Sequence, residues 1–105
     1  MSKVKEALIS ENDIRIAARI LRAINHKRRL EILYMLQLHK KLTVTDIYET
    51  LQIEQSVASQ HLAILRVAGV LDNERSGKNK YYFINHRRLQ EINVFSKALV
   101  ATNIL

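Results

Sequence analysis

Between Glu54 and Gly69 the chain reads EQSVASQHLAILRVAG, and at 100° per residue its apolar positions gather on one side of a helix. Val57, Ala58, Leu62, Ile64, Leu65 and Ala68 make that side; Gln55, Ser56, Ser59 and Gln60 make the other. One face packs and the other offers hydrogen bonds. Just before it, Thr45 is positioned to cap a short helix from Asp46 to Leu51, with Gln52 and Ile53 as the turn between the two. Gly69 ends the longer helix in the left-handed conformation that glycine adopts most easily.

The same periodicity places a helix upstream, opened by Ser10 with Asp13 three residues on and running to about Asn25. Arg15, Arg19 and Arg22 share one narrow side of it. Ile14, Ile16, Ala17, Ala18, Ile20, Leu21, Ala23 and Ile24 cover well over half the circumference, whereas a surface helix needs an apolar stripe of only about 100°. The surplus predicts two packing partners, the protein's own core and a second subunit. Asn25 is the expected cap of a further helix carrying Leu30, Ile32, Leu33 and Leu36, with Lys27, Arg28 and Arg29 in its first turn. Positive charge there opposes the helix dipole, a local cost that a nearby phosphate would offset; a merely solvated basic turn is the alternative. Downstream, Val70 to Glu74 and Lys80 to Ile84 read as two strands joined around Ser76, Gly77, Lys78 and Asn79. Asn85 or His86 opens a last helix, again with two apolar sides: Ile92, Phe95 and Leu99 on one, Val94, Ala98 and Ala101 on the other.

A short helix, a tight turn and a longer helix make a helix-turn-helix, and the hairpin after it is a wing. The expected fold is mostly α with a small β-hairpin: a winged helix-turn-helix of five helices and two strands, forming a homodimer. Residues 1–105 are expected to be one domain, with 1–9 as an N-terminal tail, because 105 residues at 48% apolar hold one modest core. No stretch approaches the roughly 20 apolar residues of a membrane span. The opening MSKVKEALISEND lacks the apolar run of a signal peptide, so a cytoplasmic protein is expected. The absence of Cys excludes disulfides, thiolate metal sites and thiol redox chemistry.

Charge is segregated. Lys and Arg number 17 against 10 Asp and Glu, a formal charge of +7 that suits a polyanionic partner. Asp46 through Leu65 contains no Lys or Arg, whereas Arg75 through Arg88 contains five and no acid. Gln pairs in bidentate fashion with adenine in the DNA major groove and Ser bonds singly to several bases. A neutral helix that reads bases beside charges that grip phosphates is the division of labour expected of a sequence-specific DNA binder.

The fragments RRLEIL (Arg28 to Leu33), SVASQHLAILRVAGVL (Ser56 to Leu71) and SGKNKYYFI (Ser76 to Ile84), in this order and spacing, resemble the ArsR/SmtB family of bacterial winged-helix repressors. The resemblance implies a homodimer paired through the first and last helices, here with Ile16, Ile20, Val94 and Ala98 outward. It also implies a palindromic double-stranded operator and release by a small-molecule or protein effector. It places base readout on Gln55, Ser56, Ser59 and Gln60, with Val44 and His61 as lesser DNA contacts, and the wing contacts on Arg75, Lys78 and Lys80. For His61 a packed, hydrogen-bonded core role is favoured over a DNA contact. Glu54 departs from the Ser or Thr that commonly caps this helix in the family, although its carboxylate can accept a backbone N–H.

The family's metal chemistry is not matched. Where many members carry Cys-x-Cys-Asp, this chain has Val44, Thr45 and Asp46. In the last helix Glu91 remains, but Leu99 and Thr102 stand where His ligands fall. His26, His39, His61 and His86 lie in separate elements, so no metal and no cofactor is expected. The lack of a phosphate-cradling glycine loop and of clustered acid and base argues against an enzyme. A winged domain used for RNA or protein binding is the alternative function, distinguished by an absence of duplex sequence preference.

Overall fold

Ser10 starts the first helix as its position predicts: in the computed structural model, which describes residues 9–101, its Oγ accepts the Asp13 N–H at 3.3 Å. Helix α1 runs Glu11–Ile24 and α2 Lys27–His39. The cap of α2 is His26 rather than Asn25. Asn25 is occupied in closing α1, where its N–H reaches Leu21 O at 2.9 Å, and His26 Nδ1 accepts the Arg28 N–H at 3.1 Å. An imidazole acceptor here does what a carboxamide oxygen would.

A two-residue strand, β1 (Leu42–Thr43), precedes α3 (Val44–Leu51). It is a third strand beyond the two expected, too short to leave a period in the sequence, and its pairing also moves the helix start. Thr43, not Thr45, caps α3 in a reciprocal box: Thr43 Oγ1 accepts the Asp46 N–H at 3.1 Å and Asp46 Oδ2 accepts the Thr43 N–H at 3.0 Å. Gln52 then turns the chain with φ 55 and ψ 47, and α4 follows over Gln55–Val67. At its end the Gly69 N–H bonds Arg66 O at 2.9 Å and the Val70 N–H bonds Leu65 O at 3.0 Å, with Gly69 at φ 78. This paired closure consumes two helix-end carbonyls and fixes the direction in which the chain leaves.

The hairpin strands are β2 (Leu71–Ser76) and β3 (Asn79–Ile84), one residue displaced from the expected Val70 start and extended to the turn. The sheet is antiparallel in the order β1-β3-β2. Helix α5 spans His86–Ala101, with Asn85 Oδ1 accepting the Arg88 N–H at 3.2 Å. Ile32 and Leu36 of α2, Ile47 of α3, Leu62 and Leu65 of α4, and Val70 are fully buried and form the core that unites these elements.

The two terminal helices lie at the margin of that core, touching it through Ile24, Leu89 and Ile92. Ala23 is the one buried residue of α1, and none of α5 is buried. The Cα radius of gyration is 16.6 Å, against about 13 Å for a compact chain of this length. No helix among the described residues is long and apolar enough to cross a membrane. Of the expected N-terminal tail, residues 1–8 lie outside the described residues, as does Thr102.

Candidate nucleic-acid interface

Burial of Ala58, Leu62 and Leu65 fixes the rotation of α4 about its axis. Gln55, Ser56, Ser59 and Gln60 are consequently all exposed on the opposite side, as the wheel predicts. The apolar side is narrower than predicted: Val57 and Ile64 are exposed as well. Glu54 occupies the cap position but its side chain caps no N–H, so the first-turn N–H groups of α4 stay available to a phosphate. Val44 is half-buried at the start of α3 and packs against the core.

His61 turns away from the polar patch. It is half-buried, its ring 4.8 Å from that of His26 at an interplanar angle of 51°. It is not the hydrogen-bonded histidine expected: Nδ1 is buried with no protein partner among the described residues. Burial holds its pKa below the usual 6.5, assisted by the nearby charges of His26, Arg29 and Arg28, so the ring is neutral at pH 7. The signal available in the sequence was weak, because the contact joins two helices distant in the chain.

The wing places its charges in a register that sequence reasoning did not draw out. Gly77 takes φ 62 at the first central position of a two-residue turn, the position where such hairpins demand a positive φ. That turn sets Arg75 directly opposite Lys80. Like charges facing each other across an antiparallel pair destabilise it, and a phosphate lying between them would remove the cost. Lys78 sits exposed in the turn, while Lys80 Nζ lies 6.0 Å from the Tyr82 ring centroid. Lower on the hairpin, Lys41 pairs with Glu74 and lies over Phe83. Uncompensated charge is thereby concentrated at the tip. Of the basic first turn of α2, Arg28 is held by Glu31 at 3.0 Å.

The residues at the two metal positions implied by the family resemblance do not fit a metal ion. Asp46 is engaged with the Thr43 backbone and has Val44 and Thr45 beside it. Glu91 lies 3.7 Å from Arg88 Nε. Among the described residues no group of three or more His, Asp or Glu side chains converges.

A helix-turn-helix whose second helix presents neutral hydrogen-bonding groups, followed by a basic two-stranded wing, defines a winged-helix DNA-binding transcription regulator. Residues 26–73 match the family described as bacterial regulatory protein, arsR family. The transcriptional repressor PagR of Bacillus anthracis is 40% identical over 75 residues, 71% of this chain and 75% of PagR. The chain belongs to the ArsR family. The crystal structure of PagR covers 82% of this chain and 99% of its own at 34% identity, with a TM-score of 0.66. HlyU from Vibrio cholerae N16961 gives the same TM-score at 30% identity over 85% of this chain and 97% of its own. PagR and HlyU are named as transcription regulators, not as enzymes.

Proposed function

We propose that the protein is a cytoplasmic homodimeric repressor, its residues 1–105 acting as one domain, that reads a palindromic operator with α4 and grips the flanking backbone with its wing. Gln55, Ser56, Ser59 and Gln60 make the base contacts, while Arg75, Lys78 and Lys80 hold phosphates. Val44, at the start of α3, is an accessory contact. His61 serves α4 by packing rather than by touching DNA. The observation that carries this reading is the exposed Gln/Ser face of α4, held in one orientation by three buried residues on its other side. Repression is supported by the likeness to PagR, a transcriptional repressor.

Dimerisation is supported by what the terminal helices leave uncovered. Ile16 is 44% exposed and Val94 61%, with Ala98 one turn further along α5 and Ile20 half-buried between the two helices. Phe95 and Val100 of α5 are exposed as well, and this much apolar surface on the terminal helices calls for a partner. Two tests are direct. Selection from a random duplex pool enriches an inverted repeat whose half-sites are centred about 10 to 10.5 bp apart or a multiple of that, and sedimentation finds twice the 12.2 kDa chain mass. A 12.2 kDa species at the same concentration, together with an unenriched pool, would overturn the proposal.

A further inference from the structure

A groove of about 870 Å³ runs between α1, the last two turns of α4 and the first turn of α5. Its size lies within the roughly 300 to 1,000 Å³ of small-molecule sites. Aliphatic side chains, chiefly Ile20, Ile64 and Val67, form its floor; Val67 is 86% exposed. Four guanidinium groups stand around it: Arg19 and Arg22 from α1, Arg29 from α2 and Arg88 from α5. No Asp or Glu lines it. Among the described residues Arg88 alone of the four has a carboxylate nearby, Glu91 at 3.7 Å, and Arg29 Nε is buried with no hydrogen-bond partner. Four cations gathered over apolar carbon repel one another. An anion with an apolar body offsets that repulsion and covers the carbon at once, because a guanidinium fork matches a carboxylate in geometry and charge.

We propose that this groove binds an organic carboxylate with an apolar tail or ring and that such a ligand is the effector of the regulator. The second half of the proposal rests on the reading of α4 as the recognition helix. The exposed residues of α4 include Gln55, Ser56, Ser59 and Gln60 in its first turns, while Ala63, Ile64 and Val67 of its last turns line the groove, so one rigid helix reads DNA with its first turns and lines the groove with its last. At 1.5 Å per residue, Gln60 and Val67 are about 10 Å apart along the axis. The groove also takes in Ile16 and Ile20, two of the residues assigned to subunit pairing. A ligand seated there touches both the helix that reads and the helix that pairs, and its binding shifts the angle between them.

The test is a calorimetric titration of decanoate, 2-naphthoate and decan-1-ol into the full chain. At least one of the two carboxylates binds, and whichever is tighter distinguishes an aliphatic from an aromatic ligand; decan-1-ol binds at least about tenfold more weakly than decanoate. Val67→Glu sets an acid among the arginines at an exposed position and loses about tenfold or more in carboxylate affinity, as does Arg22→Gln, while Arg75→Gln on the wing leaves it unchanged. Equal binding of decanoate and decan-1-ol, undiminished binding in Val67→Glu, or binding that appears only as the dimer separates into single chains would overturn the site. Operator affinity measured with the tighter carboxylate falls about tenfold or more. An unchanged operator affinity despite saturated binding overturns the effector role and leaves the site standing. If no duplex sequence is preferred at all, the DNA-reading proposal fails, and the calorimetric result stands on its own.

Discussion

Replacing Arg75 by Gln is expected to stabilise the free protein while weakening its grip on DNA, and this opposition of signs follows from the register of the wing. Arg75 faces Lys80 directly. Two unit charges about 7 Å apart in water repel by roughly 0.6 kcal/mol, and physiological salt reduces this to a few tenths. That is consistent with the low end of the roughly 0.2 to 1 kcal/mol of cross-strand pairs. For a chain of this length the gain is a rise in Tm of about 1 to 3 °C. Arg75 is the better position to change, because Lys80 also lies over Tyr82 and its removal sacrifices that contact. On the DNA side, one phosphate contact per subunit becomes two in the dimer, which flattens the dependence of log K on log[salt] by about 1.8. Between 50 and 200 mM salt the variant should therefore lose about tenfold less affinity than the parent. Calorimetric melting without DNA and anisotropy titrations across that salt range read both quantities. A lowered Tm with an unchanged salt slope would falsify the assignment of the wing tip as a phosphate grip.

Thr43→Ala should lower stability by about 1 kcal/mol in urea titration, whereas Thr45→Ala stays within a few tenths; the reverse order of losses would return the cap to Thr45. The lowered pKa of His61, with His26, Arg28 and Arg29 facing it, means that the unfolded chain binds the proton more readily than the folded one. Stability is therefore full above the ordinary value of about 6.5 and declines as pH falls through the lower folded value. His61→Gln should flatten this stretch of the stability profile, and a parent profile that rises as pH falls would contradict the burial described. Zinc, cadmium and arsenite at stoichiometric levels should leave operator affinity unchanged. A shift beyond about tenfold, or roughly 1.4 kcal/mol of coupling, would reveal a metal site that the side chains here do not form.

Features that depend on one element were readable in the chain, and features that depend on two were not. The orientation of α4 follows from its own 100° periodicity, and the paired hydrogen bonds closing it follow from Gly69. Thr43 and Thr45 are both chemically fit to cap α3; only the pairing of β1 with β3, from Leu42 to Tyr82 and Thr43 to Tyr81, selects the earlier one. His26 escaped notice as a cap because imidazole is an uncommon acceptor at that position. Its contact with His61, and the isolation of His61 Nδ1, arise where α2 meets α4. The Arg75–Lys80 opposition was legible in principle, since a two-residue turn at Gly77 and Lys78 fixes the register. The arginine groove has no counterpart in any single helix: Arg19 and Arg22 read as the polar side of α1 until α4 and α5 close around them.

The central claim is that α4 reads bases while the wing holds phosphates, and the Ser59→Ala, Gln60→Ala double variant tests it most directly. The measurement is the ratio of affinities for the selected operator and for random duplex, taken at one salt concentration. Loss of the base contacts should cost the operator about 1 to 3 kcal/mol per good contact and leave random duplex binding nearly untouched, so the ratio collapses. Equal weakening on both duplexes, with the ratio preserved, would contradict the assignment of α4 as the reading helix.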